Sequence, residues 1–250
     1  MIDVHCHLEQ KDYENDRDEV INKCREKLKA IITSCAHPND LELTIEIVKK
    51  YKGFVFATLG IHPEYIGENL NIKDFIEKVK KNKDNIVGIG EVGLDYHWVK
   101  EENLREKQRK LFRFFIKFAK ELNLPLVIHS REAMQDTIKI LEEEKAKNVL
   151  MHLFGDKKFV SKIIENGWFI SVGPILLTSK NHKKIVKEMP IEKIMLETDS
   201  PWFGFGKRNE PIEIIKVAEK IAEIKKIGFN DVWNICGKNA IKFFNLPIEI

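Results

Sequence analysis

The 250-residue chain is 43% hydrophobic and 32% charged with a formal net charge of +3. It reads as a soluble globular chain with apolar material for one core, and its charge permits an anionic substrate without arguing for broad nucleic-acid binding. No apolar run approaches the length needed to cross a bilayer, no signal-peptide pattern is evident, and Cys6, Cys24, Cys35 and Cys236 lack C-x-x-C spacing, which predicts reduced thiols in a cytoplasmic protein and excludes a zinc knuckle.

In chain order, short apolar runs alternate with amphipathic charged segments. IDVH is the first predicted strand and AIITSC the second, followed by the helical pattern DLELTIEIVKKY. FVFATLG and IVGIGE are the third and fourth strands. The helix REKQRKLFRFFIKFAKELN leads to LPLVIH, AMQDTIKILEEEKA leads to NVLMH, and DKKFVSKIIEN leads to GWFISVG. KIMLETD is the eighth strand, and helices near PIEIIKVAEKIAEIKK and NDVWNICGKNAIKFF complete the chain,. Strands recur every ~20–40 residues, the scale of a βα unit, with no linker or composition shift between them. The expectation is a single-domain (β/α)8 TIM barrel over residues 1–250, in preference to an open doubly wound sheet.

A barrel gathers its chemistry at the C-terminal ends of its strands. There the chain places His5 and His7, Glu91, His129, His152 and Asp199. His5 and His7 lie two apart on a strand, so they share a face, with Val4 and Cys6 turned the other way. Each residue alone has an ordinary reading: a chance surface pair, a buried paired carboxylate, a satisfied polar group at a strand end, a turn or helix cap at Asp199. Together they are costly to bury without a cation. Four imidazoles and two carboxylates exceed one tetrahedral site and suit two divalent ions about 3.5–4 Å apart, with Glu91 as the bridge. Mixed nitrogen and oxygen ligation fits zinc, manganese, cobalt or nickel; an all-oxygen magnesium site fits less well. Residues 88–93, GIGEVG, match the dinucleotide fingerprint, but no helix pattern starts at the third glycine and Glu91 would repel a pyrophosphate. These glycines are expected to let the strand end sit close to a metal centre.

The stretches IDVHCHL, GIHPEY, IGEVGLDYHW, LPLVIHSREA, ETDSPW, GKRNEP and the tail around NAIKFFNL resemble the TatD-type metal-dependent deoxyribonucleases, a branch of the amidohydrolase-like hydrolases. They run in family order over essentially the whole chain. The resemblance implies a two-metal hydrolytic site in a TIM barrel, with His5, His7, Glu91 and Asp199 on one ion and Glu91, His129 and His152 on the other. It departs after His152, where HLFGD replaces the commoner H-C-F-S-G, so the family's local substrate contacts are not carried over there.

The expected reaction is hydrolysis of DNA phosphodiester bonds, with exonucleolytic trimming as one form, by metal-activated water. Asp199 is the expected proton acceptor and Glu91 the second catalytic carboxylate. His62 and Arg131 are expected substrate contacts, against a loop histidine and a salt bridge as the ordinary alternatives; Glu197 is expected to orient a ligand or its water. Asp95 reads as a loop organiser, His37, His97 and His182 as solvated, Lys207 and Arg208 as a surface charge cluster, with contact to a nucleic-acid backbone as the alternative. Trp98, Trp202 and Phe203 are rim aromatics able to stack on bases or to pack their own loops. The alternatives are an amide or ester hydrolase on the same metals and a non-catalytic metal-binding scaffold. No membrane or obligate protein partner is expected, and a monomer is the default.

Overall fold

The computed structural model describes residues 1–249. Eight strands follow one another around a single parallel sheet in chain order: β1 (Ile2–Cys6), β2 (Ala30–Cys35), β3 (Val55–Leu59), β4 (Gly88–Asp95), β5 (Leu126–Arg131), β6 (Val149–Met151), β7 (Phe169–Val172) and β8 (Ile194–Leu196). The seam between β8 and β1 is closed by the chain just beyond β8. His5 O accepts from Asp199 N–H at 2.9 Å, His7 N–H donates to Ser200 O at 2.8 Å, and Asp3 accepts from the Thr198 backbone and hydroxyl at 3.1 and 2.5 Å. The predicted eight-stranded barrel is therefore present and nearly closed.

Helices α1 (Arg17–Arg25), α2 (Leu41–Lys50), α3 (Ile72–Lys81), α4 (Glu102–Leu122), α5 (Met134–Glu143), α6 (Val160–Glu165), α7 (Lys180–Glu188), α8 (Ile214–Lys225) and α9 (Phe229–Phe244) fill the crossovers and the tail. Their ends follow local chemistry: Asn71 accepts from Asp74 N–H to start α3, and Asn123 stops α4 in the left-handed region at φ 54°,. Their apolar faces pack on the outside of the sheet. Inside it, Ile2, Val4, Ile32, Phe56, Val127, Leu150 and Met195 form a separate apolar plug, joined by Ala240 and Phe244 of α9.

Two register shifts aim the polar residues above that plug. In β1, Asp3 pairs with Ile31 but Cys6 with Thr33, so β1 carries one extra residue. Val4 consequently belongs to the inner plug while Cys6 packs in the outer core. The simple alternation that groups Val4 with Cys6 fails at this bulge, although His5 and His7 do stay together. The same shift occurs in β4 between Ile89 and Val92, at Glu91. Bulges at a barrel rim re-aim side chains, and both of these sit where a candidate ligand leaves the strand.

GIGEVG lies inside β4, with no helix at its third glycine. Its glycines serve strand contact rather than approach to a metal. A Cβ at Gly90 would stand 2.6 Å from the Val127 side chain, and one at Gly93, whose φ is +150°, would stand 2.0 Å from His129 O,.

Candidate active site

All six predicted ligands meet at the mouth of the barrel. Glu91 is central, with His129 Nδ1 2.7 Å and His152 Nε2 3.4 Å from Oε1, and His5 Nε2 3.3 Å and His7 Nε2 3.9 Å from Oε2. One carboxylate thus divides its oxygens between two groups of histidines. Asp199 completes the first group, with Oδ1 3.3 Å from His7 Nε2 and 3.6 Å from His5 Nε2. It is held there by a left-handed backbone at φ 52°, which is uncommon outside glycine,. The two imidazoles of H-C-H aim their Nε2 atoms at each other, 3.2 Å apart.

Carboxylates behind the imidazoles fix three of them. Glu197 is fully buried; its Oε2 accepts from His152 Nδ1 at 2.9 Å and Ser171 Oγ at 2.8 Å, and its Oε1 from Leu153 N–H at 2.7 Å. Glu197, expected to orient a ligand or its water, is thus bonded to the imidazole of His152, one of the six candidates. Asp95 also does what its sequence reading expected, accepting the His97 and Trp98 N–H groups on Oδ1, each at 2.8 Å. Its other oxygen meets His129 Nε2 at 2.9 Å, a contact not foreseen. Glu9 was missed altogether: Oε1 lies 3.2 Å from His7 Nδ1, and Oε2 accepts from Thr33 Oγ1 at 2.7 Å. Its signal was the continued alternation His5, His7, Glu9.

The donor set fits divalent cations on three counts. His5 Nε2 faces another ring nitrogen, His7 Nε2, with Glu91 Oε2 and Asp199 Oδ1 gathered at the same point. His129 has a carboxylate at each ring nitrogen, so without a cation both nitrogens must carry protons. The field also favours positive charge. Burial lowers the proton affinity of His152, but Glu197 and Glu91 outweigh it and push its pKa up to about 10. Burial likewise opposes His7, yet its bonds to Asp199 and Glu9 raise it well above the usual imidazole value. Glu91 is driven upward by burial and downward by His152, His62, His129 and His5, and ends well below the carboxylate range. Groups that demand protons here offer the same lone pairs and charge to a metal. His5, His7 and Asp199 can share one ion, and Glu91, His129 and His152 another.

His62 lies at the edge of this cluster, with Nε2 3.6 Å from Glu91 Oε1. Its Nδ1 lies 3.3 Å from both the N–H and Oε2 of Glu64; with the N–H donating to Nδ1, the neutral ring carries its proton on Nε2, facing inward. Burial, reinforced by His129, holds its pKa down to about 3. Arg131 does not join the cluster; its guanidinium stands 5.3 Å over the Trp98 ring at the rim and forms no ion pair among the described residues. The crater spans about 1340 Å³ and is walled by Tyr65, Trp98, Trp202 and Phe203. Three histidines read as solvated are instead half-buried: His37 meets Glu68 at 3.1 Å, His97 meets Glu132 at 2.7 Å, and His182 faces the crater with Nδ1 2.9 Å from Ser179 Oγ. Each lies on a loop or helix start that folds back against the rim. Arg208, read as surface charge, forks onto Asp16 at 2.7 and 2.5 Å and braces its loop.

Residues 2–245 match the family model described as TatD related DNase. A human protein named deoxyribonuclease TATDN3 is 35% identical, the alignment covering 98% of this chain and 94% of that one. A protein of Methanocaldococcus jannaschii named an uncharacterized metal-dependent hydrolase is 33% identical over 97% and 96%. Among solved structures, a TatD family hydrolase from Entamoeba histolytica superposes with a TM-score of 0.88 at 25% identity, covering 97% of each chain.

Proposed function

The chain belongs to the TatD-related DNase family of metal-dependent hydrolases, and from that premise we propose that it cleaves phosphodiester bonds of DNA at a two-cation centre in the barrel mouth. The observation that carries the proposal is Glu91, whose two oxygens face two separate histidine groups. His5, His7, Glu91 and Asp199 would hold one ion; Glu91, His129 and His152 would hold the other. When bound, the ions supply Lewis-acid chemistry: they make a water nucleophilic near neutral pH and offset charge on the phosphoryl oxygens.

The chain's own groups supply the rest. Asp199 is kept below the usual carboxylate range, because its bond to His7 and the charge of His152 and His5 outweigh burial. It is therefore ionised at neutral pH and able to take the proton of the attacking water. Glu91 stays ionised for the same kind of reason and holds the two histidine groups in register. Glu197, Asp95 and Glu9 accept one ring proton each from His152, His129 and His7, which leaves the opposite nitrogen to face the centre. His62 offers a neutral N–H donor toward a phosphate oxygen, and Arg131 a cation at the rim.

Nitrogen-rich ligation favours zinc, manganese, cobalt or nickel over magnesium. The crater is wider than the ~300–1,000 Å³ of most small-molecule sites, and its wall is aromatic, which supports a polymer over a small amide. All four cysteines are buried and unpaired, which supports a cytoplasmic setting; no described helix is long and apolar enough to cross a membrane. The test is to strip the protein with chelator, restore zinc, manganese, cobalt, nickel or magnesium singly, and assay a labelled oligonucleotide beside a panel of amides. Cleavage of the oligonucleotide alone supports the proposal; turnover of amides alone refutes it.

A further inference from the structure

The segment after β8 exposes aromatic surface while being firmly tied down. Trp202 is 45% exposed, Phe203 36% and Phe205 60%. Asn209 anchors the segment through its side-chain amide to Thr198 O at 3.0 Å and its N–H to Pro201 O at 2.9 Å, and its carbonyl accepts from Tyr13 at 2.7 Å. Phe203 and Phe205 both adopt left-handed backbone, at φ 58° and 50°. Gly204 between them is obligatory, since a Cβ there would lie 1.8 Å from Lys207 O. Aromatics that support their own loop are buried by it; Phe205 turns most of its ring to water instead.

Against this shelf lies a second hollow of about 450 Å³, separate from the crater but sharing Phe203 with it. Pro174, Leu177, Phe203 and Phe205 give it apolar walls, and Lys207 and Lys216 stand at its edge. Both lysines share a single carboxylate, Glu213, so one positive charge is left over. An apolar, aromatic slot with surplus positive charge, continuous with the crater wall, matches a base joined to a phosphate.

We propose that this hollow is a subsite for a nucleotide flanking the scissile phosphodiester, its base against Phe203 and Phe205 and its phosphate beside Lys207 and Lys216. The proposal rests on the phosphodiesterase reading above and adds where the substrate strand leaves the metal centre. Stacking here selects a strand whose bases are free to splay.

The experiment compares the metal-loaded wild type, F205A and F205W on a thymidine hexanucleotide and on methyl p-nitrophenyl phosphate, which carries no base. In F205A the kcat/KM for the hexanucleotide, taken relative to that for the small diester, falls about 5- to 150-fold. The fall lies in KM, and F205W restores it. An unchanged ratio in F205A, with the hexanucleotide still cleaved by wild type, overturns the subsite and leaves the phosphodiesterase reading standing. An equal loss on both substrates, or a loss of thermal stability that F205W does not repair, assigns the shelf to folding and also overturns it. So does a wild-type self-association in sedimentation that F205A abolishes without altering KM. If wild type cleaves neither diester with any metal, the underlying reading has failed first.

Discussion

Replacing Asp95 by Asn inverts a proton without removing an atom's worth of volume. Asp95 Oδ1 accepts two loop N–H groups at 2.8 Å, and the Asn oxygen can keep both. The other arm changes from acceptor to donor, and it faces His129 Nε2 at 2.9 Å. Nε2 must then accept, so the ring proton moves to Nδ1, which lies 2.7 Å from Glu91 Oε1 where a cation's ligand lone pair is needed. A contact of this kind behind a metal ligand is worth ~10–100-fold in affinity, or about 1.4–2.8 kcal/mol. Folding stability changes far less, by about 1 kcal/mol, because one charge-assisted bond becomes a neutral one while the loop bonds persist. The assay is competition between the protein and a chromophoric chelator for zinc and cobalt, beside urea unfolding of the chelator-treated protein. D95N should weaken one of the two ions selectively. Wild-type affinity for both ions in D95N, with an unaltered cobalt spectrum, would refute the assignment of Nδ1 to the metal.

Three further outcomes follow from the same geometry. D199N should lower kcat by about 10²–10⁴-fold while its thermal melting stays close to wild type; comparable turnover would remove Asp199 from the proton transfer. The folded-state pKa of His152 is raised from 6.5 to about 10, so metal-free protein gains stability from its proton below pH 6.5 and loses that gain as pH rises toward 10. Urea unfolding at pH 6, 8 and 10 should show the decline in chelator-treated wild type, and H152Q should lack that part of it; parallel curves would contradict it. Finally, G93A should cost at least about 2 kcal/mol in urea unfolding, since its Cβ meets a β5 carbonyl across a left-handed backbone,. An unshifted midpoint would contradict that.

The barrel was legible because each βα unit repeats the same alternation, and period-2 and period-3.6 patterns survive in a single sequence. Candidate ligands were legible because strand ends in a barrel converge, so His5, His7, Glu91, His129, His152 and Asp199 could be placed at one mouth from their positions alone. What alternation could not give was the pair of bulges: Val4 parts from Cys6 because of one extra residue, and no local composition announces it. Glu9 and the second role of Asp95 escaped for a different reason. A carboxylate two or four residues beyond a ligand is common in any loop, and only folding shows which imidazole it faces. Strand limits misled little, but β6 and β8 end before His152 and Asp199, so these two candidates stand on loops whose direction is set by Glu197 and by the seam to β1. The solvated reading of His37, His97 and His182 failed because their partners come from distant or returning segments.

Metal content per chain tests the central claim most directly. Protein equilibrated with zinc, freed of loose metal and measured by elemental mass spectrometry should carry two ions in the wild type and one or none in E91A, whose bridging oxygens are gone. One ion or fewer in the wild type, or two ions retained in E91A, would contradict a paired centre built on Glu91.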